Sequence, residues 1–134
     1  MFDIMKKAVQ HFISSIEADI DECDKKSMEG FVSKIEINGD ENYDIYIIIP
    51  HEKLSYIADY YFGEESYDAE DLTKEIANQI AGNAKLIAAE YDKNFNISVP
   101  EYLGEYKNGI DYDDMLAFRF NGGKCFFILF KEKK

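Results

Sequence analysis

The sequence has no tryptophan, two prolines, two histidines and two cysteines, and each shortage excludes something. Cys23 lies in a polar stretch and Cys125 in an apolar run. Two cysteines so placed are no disulfide framework, and without a Cys-x-x-Cys or a histidine pair there is no zinc spacing. No metal site of the chain's own is therefore expected. Scarce proline and eight glycines leave little room for linker. The first residues, MFDIMKKAVQHF, carry acidic and polar side chains where a signal peptide needs a continuous apolar run. No apolar stretch reaches the length of a membrane span. The expectation is a cytoplasmic protein.

Basic residues are also in short supply. Fifteen Lys and Arg against 27 Asp and Glu give a net charge of −12. That argues against DNA, RNA or an anionic membrane as partner, where a positive face supplies most of the affinity. It leaves open a protein partner with basic patches, and it equally suits plain solubility. What is abundant is aromatic: ten Tyr and ten Phe within 46% hydrophobic residues. The 134 residues are enough for one domain, 1–134, with a core built on Phe.

Helical and extended segments alternate in groups. From Phe2 to about Asp19, Ile4, Met5, Ala8, Val9, Phe12, Ile13 and Ile16 recur at steps of three and four, an amphipathic helix. The polar stretch EADIDECDKKSMEG follows. Val32, Ile35 and Ile37, then Ile45 through Ile49, flank Asn38-Gly39-Asp40 and predict a hairpin whose second strand, apolar on both faces, is central. HEKLSYIADYYF, between Pro50 and Gly63, predicts a second helix. An acidic loop, EESYDAED, leads to the longest helix, about Asp71 to Tyr91. Beyond it, FNISVPEYLGEY is extended and broken by Pro100. MLAFRF and KCFFILF then form a hairpin around Asn121-Gly122-Gly123, ahead of a solvated basic tail, KEKK. The reading is one α+β domain without repeats.

The segment DLTKEIANQIAGNAK, Asp71 to Lys85, carries the chemistry. Wound at about 100° per residue, Leu72, Ile76, Ile80, Ala84 and Ile87 share one side and must face the sheet. Asp71, Glu75, Asn78, Gly82 and Lys85 share the other. Glycine in a helix costs about 1 kcal/mol relative to alanine, so Gly82 on a solvated face makes sense where something approaches the backbone beside Asn78. Asn83 borders the apolar side and suits a structural hydrogen bond. Glu and Asn outside a helix are ordinary, and Asp71 also fits a cap or first-turn acid.

The segment resembles the signature of the CheC/CheX/FliY phosphatases of bacterial chemotaxis: an acidic or small polar residue, Glu four positions on, then Asn three further. Here those are Asp71, Glu75 and Asn78, and IAGNAK (Ile80 to Lys85) is similar to the CheX branch. Gly39, the Tyr61-Phe62-Gly63 helix end, and Pro100 with Gly104 beyond it extend the resemblance over most of the chain. Two departures stand out. HEKLSYIADYYF lacks the second Glu-x-x-Asn pair of CheC-type members, and Tyr43 replaces a glycine in the hairpin.

The resemblance implies an α+β sandwich of a mostly antiparallel sheet with long helices packed on it. It implies a phosphatase with a single site acting on the aspartyl phosphate of a CheY-like response-regulator receiver. Asn78 would orient the hydrolytic water, Glu75 would dock on the receiver's active-site lysine, and Asp71 and Gly82 would assist docking. The chain needs no cofactor, since Mg²⁺ comes with the receiver. The family also implies a homodimer paired through its sheets, where the Cys125–Phe130 run, apolar on both faces, would be an edge strand that needs covering. The other reading of that run is that it is central, the edge is a more polar strand and the chain is a monomer. A non-catalytic CheX-like module that binds a receiver or a motor component is the alternative.

Overall fold

The computed structural model describes residues 1–23, 28–64, 66–107, 109–121 and 123–133. Three helices, α1 (Phe2–Ser15), α2 (His51–Phe62) and α3 (Ala69–Glu90), lie on one face of a seven-stranded sheet. The strands are β1 (Ile20–Glu22), β2 (Phe31–Gly39), β3 (Tyr43–Ile49), β4 (Phe95–Ile97), β5 (Glu101–Glu105), β6 (Asp114–Phe120) and β7 (Phe126–Glu132). Their order is β1-β6-β7-β3-β2-β4, with β5 also on β2, and every described pairing is antiparallel. The fold is the expected α+β arrangement.

Alternation along the strands builds two apolar layers. Ile35, Ile37, Ile45, Ile47, Leu116, Phe118, Phe120, Phe126, Ile128 and Phe130 face the helices and pack against the buried sides of all three. Val32, Ile48, Phe127 and Leu129 form a smaller cluster on the opposite face. That is why β3 and β7 read as apolar on both sides.

Several expectations change. The Cys125–Phe130 strand is not an edge: β7 lies between β3 and β6. Its apolar faces are covered within one chain, so the edge-strand argument for a dimer does not apply to it. The polar stretch after α1 contributes an outer strand, β1, paired with the end of β6 through Ile20 and Phe120. Cys23 and Cys125, read from the sequence as no disulfide framework, are joined as a disulfide with Cα atoms 6.1 Å apart, inside the range that bond requires. Two lysines of the KEKK tail, Lys131 and Lys133, are partnered rather than solvated. Lys131 pairs with Asp111 at 3.1 Å and Lys133 with Glu36 at 3.0 Å. Gly122 of the predicted turn, Glu65 of the acidic loop and Lys134 lie outside the described residues, as do 24–27 and Asn108.

Gly39 is required by contact. A Cβ there would lie 2.5 Å from the Asn94 carbonyl oxygen and 2.6 Å from Phe95 Cα, where β2 meets β4. Tyr43, in place of the expected glycine, starts β3 opposite Ile37 and sets its ring edge-on to Phe130.

Candidate functional site

α3 begins two residues before the predicted start, because Asp68 is the cap: its carboxylate accepts a hydrogen bond from the Asp71 N–H at 3.0 Å. Asp71 is thus a first-turn acid and not the cap, and its carboxylate sits at the positive end of the helix dipole. Leu72, Ile76, Ile80, Ala84 and Ile87 are all buried against the sheet and α1, as their spacing requires. Asn83 reaches the Ala8 carbonyl on α1 at 3.4 Å, the structural bond expected of it.

The opposite face of α3 is open. Asp71, Glu75, Asn78 and Lys85 are exposed and Gly82 is half-buried. Glu75, Asn78 and Gly82 follow one another at three- and four-residue steps, so they rise along one face. One Glu75 oxygen accepts from Gln79 Nε2 at 3.0 Å, which steadies the carboxylate of this exposed side chain. Among the described residues the Asn78 side chain makes no hydrogen bond, so its donor and acceptor are both available. A Cβ on Gly82 would meet nothing within 4 Å. The glycine is therefore not demanded by packing inside this chain.

A second element completes the site. α2 ends at Gly63, whose φ of 73° turns the chain sharply while its N–H bonds the Asp59 carbonyl at 2.9 Å. That turn leaves Tyr61 and Phe62 beside α3, where they border a groove of about 580 Å³ with Asp68, Asp71, Leu72, Glu75 and Gln79. Burial first, and then the Glu75 charge, raise the Tyr61 hydroxyl above its ordinary pKa. α2 itself is pinned at its start. Lys53 is buried, with its ammonium donating to the Phe120 carbonyl at 2.6 Å, and Glu52 accepts from the Lys124 N–H at 2.6 Å. Burial lowers the Lys53 pKa, against the opposing charge of Glu52.

Sequence reasoning did not include Tyr61, Phe62 or Gln79 in the site. Spacing carried no signal for Phe62, which stands four residues after Ala58 and eight after Leu54, where the apolar face would continue; only the structure shows it left in water at the helix end. Among the described residues no three His, Cys, Asp or Glu side chains converge as metal ligands. Nor is any described helix long and apolar enough to cross a membrane.

Residues 31–130 match the family model described as chemotaxis phosphatase CheX. The chain belongs to the CheX family. The long helix with Asp71, Glu75 and Asn78 lies inside the matched span, and solved CheX structures share the whole architecture. A CheX from Vibrio vulnificus superposes with a TM-score of 0.74 at 18% identity, covering 96% of this chain and 97% of that one. The CheX of a CheX–CheY–BeF3–Mg²⁺ complex from Borrelia burgdorferi gives 0.74 at 19% identity, covering 98% and 97%. A CheX from Desulfovibrio desulfuricans gives 0.70 at 16%, covering 98% and 97%. At such identities the likeness is one of fold. No curated protein matches the sequence.

Proposed function

We propose that this chain hydrolyses the aspartyl phosphate of a CheY-like receiver domain in the cytoplasm, with Asn78 orienting the water and Glu75 docking on the receiver's lysine. The observation that carries the reading is the outer face of α3. There a steadied carboxylate and an amide without an intramolecular hydrogen-bond partner stand one turn apart on an otherwise open helix. Membership of the CheX family and the pairing of the Borrelia relative with CheY, BeF3 and Mg²⁺ support it.

An acyl phosphate already has a good leaving group, so catalysis reduces to positioning and electrostatics. The water oxygen attacks phosphorus in line. The bond from phosphorus to the receiver's carboxylate oxygen breaks, leaving a free carboxylate and inorganic phosphate, and the water's proton passes to phosphate or solvent. A neutral amide at Asn78 can accept from that water without repelling the phosphoryl oxygens, which a carboxylate would do. Glu75 offers its carboxylate to an ammonium, a charge-assisted contact that fixes the helix against the receiver. Asp71 and Gly82, on the same face, assist docking by charge and by close backbone approach. Mg²⁺ belongs to the receiver in this scheme.

A reducing cytoplasm would hold Cys23 and Cys125 as two thiols. They lie on the far side of the sheet from α3, so the reading does not depend on that bond. The test is dephosphorylation of a phosphorylated receiver. Asn78→Ala should lower turnover by about a hundredfold or more with binding nearly intact, the scale on which a positioned group acts in proton and water handling. Glu75→Ala should mainly weaken binding. Normal turnover by Asn78→Ala would remove the catalytic role, and a wild-type protein that binds without turnover would instead be a receiver-binding module.

A further inference from the structure

We propose that the groove between the end of α2 and the first half of α3 is a docking pocket for an apolar side chain flanked by a cation on the phosphorylated receiver, with Phe62 as its anchor. The inference rests on the receiver reading above and adds a contact that does not involve Asn78.

Three features converge there. First, the groove has an apolar wall that the fold leaves in water: Phe62 is 62% and Tyr61 39% exposed, with Leu72 at the base. Large apolar surface rimmed by polar residues marks an interaction site, and aromatics anchor such sites. Second, the wall is held in place. Gly63 fixes the end of α2, the Tyr60, Tyr61 and Phe62 rings pack in series at 6.0 and 6.2 Å, and the Tyr60 hydroxyl bonds the Ser15 carbonyl at 3.0 Å. The Tyr67 hydroxyl bonds the His51 ring and ties the following loop back to α2. A preformed pocket loses little entropy when filled.

Third, the rim selects the occupant. Asp68, Asp71 and Glu75 line it and no lining residue is cationic, while nearby Lys74 is engaged by Glu70 at 3.2 Å. Such a rim repels nucleotides and acidic peptides and accepts a basic segment carrying an apolar side chain. Glu75 belongs both to this rim and to the outer face of α3. A receiver whose lysine meets Glu75 therefore lies over the groove mouth, and a neighbouring side chain can enter it.

The experiment titrates wild type, Phe62→Ser and Phe62→Leu with a receiver held in its active form by beryllofluoride and Mg²⁺, beryllofluoride standing in for the phosphoryl group. Steady-state dephosphorylation and sedimentation run alongside. Phe62→Ser should weaken binding about tenfold, with the loss appearing in KM, and Phe62→Leu should recover most of it. Because Phe62 touches no core, both variants should melt near wild type. Unchanged receiver affinity in Phe62→Ser overturns the proposal. So does a Phe62→Ser protein that loses only self-association, since the groove would then belong to a second copy. If the wild type binds the receiver without removing phosphate, the phosphatase reading fails while the groove still stands on the affinity ratio. If it binds no receiver, both fall.

Discussion

Replacing Gly82 by alanine should make the protein more stable and a worse phosphatase. In isolation the substitution has only helix propensity to act through, because the new Cβ would meet nothing within 4 Å. Alanine is favoured over glycine by about 1 kcal/mol inside a helix. For 134 residues the entropy of unfolding is about 0.28 kcal/mol/K. The melting temperature should therefore rise by roughly 3–4 °C. In the docked complex the same methyl occupies space that the close approach of the receiver needs, and overpacking of a fitted contact costs about 1–3 kcal/mol. KM for the phosphorylated receiver should rise at least about fivefold, since 1.4 kcal/mol is about tenfold in affinity. Calorimetry of unfolding and steady-state phosphate release measure the two arms on the same sample. A raised melting temperature with unchanged KM refutes the close approach at Gly82. A lowered melting temperature refutes the open surroundings from which the whole argument starts.

Activity should require Mg²⁺ only through the receiver, so calorimetry of this chain alone with millimolar Mg²⁺ should give no saturable heat; a site formed by its own carboxylates would contradict that. Glu41 should contribute an acid-sensitive part of the stability. Burial pushes its carboxyl up, but the Lys93 ammonium at 3.1 Å and the Met1 amino group outweigh it and hold the carboxyl below its ordinary 4.5. A carboxyl lowered in the fold contributes stability above its unfolded pKa, and this is lost as pH falls through the folded value. Urea midpoints of wild type and Glu41→Gln should differ near neutrality and converge as the pH drops below about 4.5, whereas a constant gap would rule the linkage out. A homodimer, if it pairs sheet to sheet, must use an outer strand such as β1 or β5. Sedimentation at micromolar concentration should then give twice the 15.5 kDa of one chain, and a single monomeric species would end that part of the reading.

The face of α3 was legible in the amino-acid order alone because helical period is local. Leu72, Ile76 and Ile80 had to share a side, so Glu75 and Asn78 had to share the other, whatever they packed on. The ends of α2, between Pro50 and Gly63, were legible for the same reason, since a residue without an N–H and one that tolerates positive φ act on their own turn. Strand pairing is not local. Residues 125 to 130 announced a strand buried on both faces, but only the folded sheet shows that β3 and β6 do the burying. β1 escaped notice because three residues in a polar stretch owe their extended state to pairing with β6, nearly a hundred positions away. The meeting of Cys23 with Cys125 and of Lys133 with Glu36 has the same origin. The groove beside Glu75 belongs wholly to tertiary structure. No periodicity encodes where the end of one helix comes to rest against the flank of another, and that placement alone leaves Phe62 in water next to three acids.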